Sequence, residues 1–223
     1  GPLGVAQVIE IFRQKTAPAF NVALNLGAIY AGADGRVAHA LGHFSDALGI
    51  AYLEQADYTR AMLAFRDATR RAPYWAYPLH NLALAYTQTG DYAAAIRSYQ
   101  KAMELAPQYS YLPYNLGLAY QRLNRRKEAE AAYQKAMRLA PNSAEPYNAL
   151  GYLKASYGRT GEAERLYRQA LEKNPELLAA RQNLAVLLAS KPNRDTEEYE
   201  LWRLNLSKAP EYLPSRLRLA RSL

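Results

Sequence analysis

Residues 76–107 read AYPLHNLALAYTQTGDYAAAIRSYQKAMELAP, and residues 110–141 read SYLPYNLGLAYQRLNRRKEAEAAYQKAMRLAP. The two stretches align without a gap at an offset of 34 residues. Working outward, Pro73, Pro107, Pro141 and Pro175 follow one another at that interval, each closing a run rich in Ala, Arg and Tyr. With the proline at position 32, four units start at Gly42, Ala76, Ser110 and Ala144. Position 7 is then Leu48, Leu82, Leu116 and Leu150, and position 8 is Gly49, Ala83, Gly117 and Gly151. Position 20 is always alanine (Ala61, Ala95, Ala129, Ala163), position 24 is Phe65, Tyr99, Tyr133 and Tyr167, and position 27 is Ala68, Ala102, Ala136 and Ala170. A fixed period of this length signals stacked supersecondary units, each too small to bury its apolar face alone.

The pattern has a physical reading. Small residues at positions 8, 20 and 27 let two helix backbones approach, while large side chains at 7, 11 and 24 fill the space around the crossing, so each unit is an antiparallel helix pair. Gly90, Asn124 and Gly158 at position 15 suit the end of the first helix, where a left-handed residue is often needed. The proline ends the second helix, because it lacks an N–H and restricts the residue before it. Lys154 departs from the pattern, standing at position 11 where the preceding units have Tyr52, Tyr86 and Tyr120, and is expected to weaken that unit's packing slightly.

This Leu-Gly, Tyr, Ala, Phe/Tyr, Ala, Pro pattern resembles the tetratricopeptide repeat (TPR) family. The resemblance implies an all-α fold, a right-handed α-solenoid of antiparallel helix pairs in a TPR-like superhelix. The domain reading is residues 1–4 as a tag remnant, 5–41 as irregular N-terminal helices, then units 42–75, 76–109, 110–143 and 144–177. A degenerate fifth unit follows over 178–210, with a turn at Lys191-Pro192-Asn193, and a capping helix over 211–223. In the fifth unit, counting back from Pro210 puts Glu198 and Asn205 where alanines belong and leaves Trp202 in the aromatic place.

Composition excludes several classes. With 223 residues and 50% hydrophobic content the chain can bury a core. No apolar run approaches the roughly 18 residues of a membrane-spanning helix. The absence of cysteine removes disulfides, thiolate metal sites and a cysteine nucleophile. A formal charge of +8 favours an acidic partner, an anionic membrane surface or nucleic acid. Because Gly1-Pro2-Leu3-Gly4 reads as tag residue, the lack of a leader says nothing of compartment.

The resemblance also implies that first helices line the inside of the superhelix. At about 100° per residue, positions 4, 7, 8 and 11 cluster on one buried arc and 2, 5, 6, 9, 12 and 13 oppose it. The opposing arc carries His43, Asp46 and Ile50, then Tyr77, His80, Asn81 and Leu84, then Tyr111, Tyr114, Asn115, Leu118 and Arg122, then Asn148 and Tyr152, and finally Gln182 and Asn183. Aromatic, amide and aliphatic groups dominate where a merely solvated face would show Lys and Glu. The expected function is a protein–protein interaction scaffold that binds an extended peptide in this concave groove. Asn81, Asn115 and Asn183, all at position 6, resemble the asparagine ladder of some peptide-binding members, broken by Ala149. A carboxylate clamp is not expected, since His80 and Leu84 precede Asn115, and Glu145 and Ala149 follow it, where Lys, Asn and Arg are needed.

No catalytic constellation, Gly-rich phosphate loop or cofactor motif is present, and the chain is read as a non-enzyme without cofactor. His39, His43, Asp46 and His80 are weak metal candidates on one helix face and its neighbour, without the general base of a His-Glu-x-x-His site. The competing readings are a targeting module of a larger enzyme, and a nucleic-acid-binding helical repeat using Arg125-Arg126-Lys127 and Arg216, Arg218 and Arg221.

Overall fold

The computed structural model describes residues 35–189, 195–208 and 210. The expected N-terminal helices before residue 35, the turn at 191–193 and the capping helix over 211–223 lie outside the described residues. Ten helices and no strand occur among the described residues: α1 (Gly35–Glu54), α2 (Tyr58–Arg71), α3 (Ala76–Gln88), α4 (Tyr92–Leu105), α5 (Tyr111–Arg122), α6 (Arg126–Leu139), α7 (Ala144–Ala155), α8 (Thr160–Lys173), α9 (Leu178–Leu188) and α10 (Asp195–Lys208). Odd-numbered helices are the first helix of a unit and even-numbered ones the second. The chain divides into two compact units, one up to Leu82 and one from Ala83, and each is described by itself.

In the unit up to Leu82, α1 packs on α2. Helix α2 buries Ala61, Ala64, Phe65 and Ala68, a spacing of three and four residues that puts them on one stripe. The Phe65 ring lies over Gly49, where a Cβ would meet it at 2.5 Å. The unit from Ala83 repeats this contact. A Cβ on Gly117 would meet the Tyr133 ring at 2.5 Å, and one on Gly151 the Tyr167 ring at 2.8 Å. Glycine at position 8 therefore allows a fully buried ring to lie against the first helix, and the alanines at positions 20 and 27 close the crossing. Burial pushes the Tyr99 hydroxyl up to about 12 and those of Tyr133 and Tyr167 higher still. The Tyr133 hydroxyl donates to Gln121 Oε1 at 2.7 Å.

The turn between helices is the same in four units. Position 15 has a positive φ in each, 57° at Ala56, 80° at Gly90, 57° at Asn124 and 72° at Gly158. The following N–H closes back on the position-11 carbonyl, as in Asp91 to Tyr86 at 2.9 Å and Arg159 to Lys154 at 3.0 Å. Asp57 and Asp91 then accept from Arg60 and Ala94 backbone N–H groups, satisfying donors that a helix start leaves open.

Lys154 is buried rather than loosely packed. Its Nζ lies 2.7 Å from Glu130 Oε1 and 3.2 Å from Glu162 Oε2. Burial disfavours its charge, and the two carboxylates more than compensate, holding the ammonium above its ordinary value. The space of a tyrosine is thus filled by an ion triad joining α6, α7 and α8.

The last pair, α9 and α10, keeps Trp202 in the aromatic place, its indole N–H donating to Glu198 at 3.1 Å. Asn205 replaces the position-27 alanine at 0% exposure, and neither of its amide atoms has a hydrogen-bond partner among the described residues. An unmade bond on a buried polar atom costs about 1–3 kcal/mol. Asn205→Ala, which restores the residue found in the other units, is expected to raise stability by about 1–3 kcal/mol in urea unfolding. A loss of stability would show that the amide has a partner.

Candidate functional site

The first-helix face from Ala83 onward is built by α5, α7 and α9, with α7 touching each of the other two directly as well as through the second helices. Position 9 sits one residue past the small position 8 and therefore turns out of the helix crossing. It carries Leu84, Leu118, Tyr152 and Val186 on four consecutive first helices. Tyr152 is 52% and Val186 56% exposed, while Leu84 and Leu118 are half-buried. Val186 was missed by the sequence reading, although the apolar character of position 9 in all five units, from Ile50 onward, was the signal for it.

One turn earlier, position 5 carries Tyr114, Asn148 and Gln182, each half-buried. The Tyr114 ring tilts against Tyr133 at 6.2 Å, and burial, with the Glu145 charge adding to it, raises its hydroxyl above the usual range. Asn183 Nδ2 donates to Asn148 Oδ1 at 2.9 Å, from position 6 of one first helix to position 5 of the one before. Tyr111 stacks with Tyr109 at 5.5 Å, and Arg122 stands exposed at the helix end. Asn115 and Leu118 are half-buried on the same helix. The face is poor in charge, Arg122 and Glu145 being its charged members.

In the unit up to Leu82, Asn81 Nδ2 donates to Asp46 Oδ1 at 2.9 Å, again position 6 to position 5 across 35 residues. Both side chains are buried, and burial raises the Asp46 carboxyl above its usual value despite the Asn81 bond. Two of the three position-6 asparagines thus bond a neighbouring first helix of their own chain. His43 lies against Trp75, ring centroids 3.9 Å apart, and Trp75 is followed by Tyr77 at 6.2 Å, with Tyr77 47% exposed. Burial drops the His80 imidazole to about 4. The side chain of His39 lies outside the described residues, and among the described residues no three His, Asp or Glu groups are placed to hold a metal ion.

The basic turn after α5 is engaged with its surroundings. Arg125 lies 4.7 Å from the Tyr120 ring and pairs with Glu128 at 2.9 Å. Arg126 lies 4.3 Å from the Tyr157 ring and donates to Asn124 at 2.9 Å. Arg216, Arg218 and Arg221 lie outside the described residues. No helix among the described residues is long and apolar enough to cross a membrane.

Residues 83–124 match a family model described as TPR repeat, and residues 110–176 one described as tetratricopeptide repeat. No curated protein matches the chain. Among solved structures, the chain is similar to TTC0263, a TPR protein of Thermus thermophilus, at 24% identity over 81% of this chain and 97% of that one, with a TM-score of 0.65. It is also similar to pilF of Pseudomonas aeruginosa, at 20% identity over 83% of this chain and 85% of that one, TM-score 0.70. A third is YrrB, described as a TPR protein with an unusual peptide-binding site, at 20% identity over 90% of this chain and 98% of that one, TM-score 0.63. At these identities the likeness concerns the fold.

Proposed function

We propose, from the premise that this chain is a helical repeat protein of the tetratricopeptide family, that it binds a segment of a partner protein on the first-helix face. Tetratricopeptide repeats generally mediate protein–protein interaction, and scaffolds built from them are typically non-enzymatic. What carries the reading for this chain is the apolar residue at position 9 of four consecutive first helices, Leu84, Leu118, Tyr152 and Val186, on a face with little charge. A face kept only for solubility has no use for that row, whereas a binding face needs apolar anchors with polar groups beside them. The nucleic-acid reading gains no support from Arg125 and Arg126, which are spent on tyrosine rings and local partners.

The test is selection of short unstructured peptides against the whole chain, followed by affinity measurement on variants. Leu118→Ala with Tyr152→Ala is expected to weaken the selected peptides about tenfold or more, equivalent to roughly 1.4 kcal/mol, with an unchanged circular dichroism spectrum. Unaltered affinity in that double variant would refute the assignment.

A further inference from the structure

Helices α9 and α10 bury polar groups that the pair itself does not satisfy. Position 4 of the first helix is Ser45, Leu79, Pro113 and Tyr147 in the four regular units, and in the fifth it is Arg181. The Arg181 side chain is 2% exposed, and neither its Nε nor its Nη1 has a hydrogen-bond partner among the described residues. Its counter-ion is a poor one. Glu176 Oε2 lies 3.6 Å from Nη2, and Glu176 is itself exposed; a charge-assisted hydrogen bond spans roughly 2.7–2.9 Å. A guanidinium taken out of water carries a large desolvation cost unless its donors are met.

The surroundings show what would meet them. The same Glu176 Oε2 lies 3.3 Å from Lys208 Nζ, so one carboxylate oxygen stands between the buried guanidinium and an exposed ammonium. Lys208 follows Asn205 by one turn of α10, and the fully buried Asn205 amide has no partner for Nδ2 or Oδ1 among the described residues. Unmet donors of two buried side chains therefore lie behind an exposed rim of Lys208 and Glu176. All of them call for an acceptor, and the guanidinium and ammonium call for a negative one.

We propose that this end of the α9–α10 pair is an oxyanion site, filled by the carboxylate or phosphate group of a ligand that replaces Glu176 between Lys208 and Arg181. The last turn of α10 is tied to the turn before α9 by the Lys208–Glu176 contact, which is the contact the anion displaces. Released there, α10 moves outward without breaking any side-chain bond of Asn205, and the anion reaches the guanidinium behind it. Arg181 holds the anion by charge, Lys208 closes over it, and Asn205 Nδ2 adds a neutral donor. The unliganded protein carries the cost of these unmet groups, the usual exchange of stability for binding. The site uses none of the position-9 residues and stands independently of the first-helix face.

The experiment uses the whole chain with Trp75→Phe, which leaves Trp202 as the one tryptophan. Trp202 is buried on α10 three residues before Asn205 and reports on the movement of that helix. Sodium phosphate and sodium acetate are titrated separately, with sodium chloride at matched ionic strength as the reference. A saturating fluorescence change is expected with at least one of the two oxyanions and none with chloride, and whichever anion saturates names the group that is bound. Arg181→Met should weaken that binding by about tenfold or more, and Lys208→Ala, on the exposed rim, by about threefold. Glu176→Gln removes the competing carboxylate and should tighten binding about threefold. Absence of saturation with both oxyanions overturns the proposal. So does a saturating change that Lys208→Ala and Glu176→Gln leave unaltered, whether or not Arg181→Met folds.

Discussion

Tyr133→Ala is expected to destabilise the chain by about 3–5 kcal/mol, the usual cost of removing a buried aromatic ring. The ring is fully buried, lies against Gly117, and spends its hydroxyl on Gln121. Its partner predicts a coupling. Gly117→Val alone drives a side chain into that ring and should cost about 1–3 kcal/mol by overpacking. In the Tyr133→Ala background the same change fills the vacated space, and the second substitution should cost nothing or restore stability. Urea unfolding of the four proteins gives the interaction energy directly. Additive losses would show that the close approach of α5 and α6 does not depend on this pair.

Acid should weaken the fold before the carboxylates titrate. His80 is held at about 4 by burial, against an ordinary value of 6.5. Between those values the unfolded chain binds a proton that the folded chain refuses, so stability rises with pH through this window and falls as pH drops from 6.5. From pH 6.5 to 5 the loss is at most about 1.6 kcal/mol, less whatever solvent reaches the half-buried ring. Two carboxylates act lower down and in opposite senses. Asp67, held down by Arg71, Ser45 and Arg70 against its own burial, contributes stability above 3.8 that is lost as pH falls through its lowered value. Asp46, raised by burial, works the other way above 3.8. The difference between unfolding free energies at pH 7 and pH 5 should shrink by about 1–2 kcal/mol in His80→Gln. An equal difference in both proteins would show that His80 is solvated in the folded state.

The repeat was legible in the sequence because packing demands it at each recurrence. A ring at position 24 needs a missing or small Cβ at position 8, and the pairs Gly49 with Phe65, Gly117 with Tyr133 and Gly151 with Tyr167 follow from that one clash. The left-handed turn was legible at Gly90, Asn124 and Gly158. It was not legible at Ala56, where nothing in an alanine announces a positive φ of 57°.

The face was harder to read. A helical wheel divides a first helix into a buried and an open arc, but a first helix here also touches the neighbouring first helix. Position 6 falls in that third contact, which is why Asn81 and Asn183 bond Asp46 and Asn148. In the repeat register Lys154 reads as a slight weakening of its unit's packing, because its partners lie 24 residues before it and 8 after it, at Glu130 and Glu162, on different helices. The repeat register alone does not reveal a compensation of that kind.

Placing a photoreactive benzoylphenylalanine at Tyr152 on α7 and, in a second protein, at Arg138 on the exposed side of α6 tests the binding face most directly. Irradiated with a bound peptide, the Tyr152 protein should cross-link and the Arg138 protein should not. Cross-linking from Arg138 with none from Tyr152 would place the partner on the second helices and contradict the first-helix assignment.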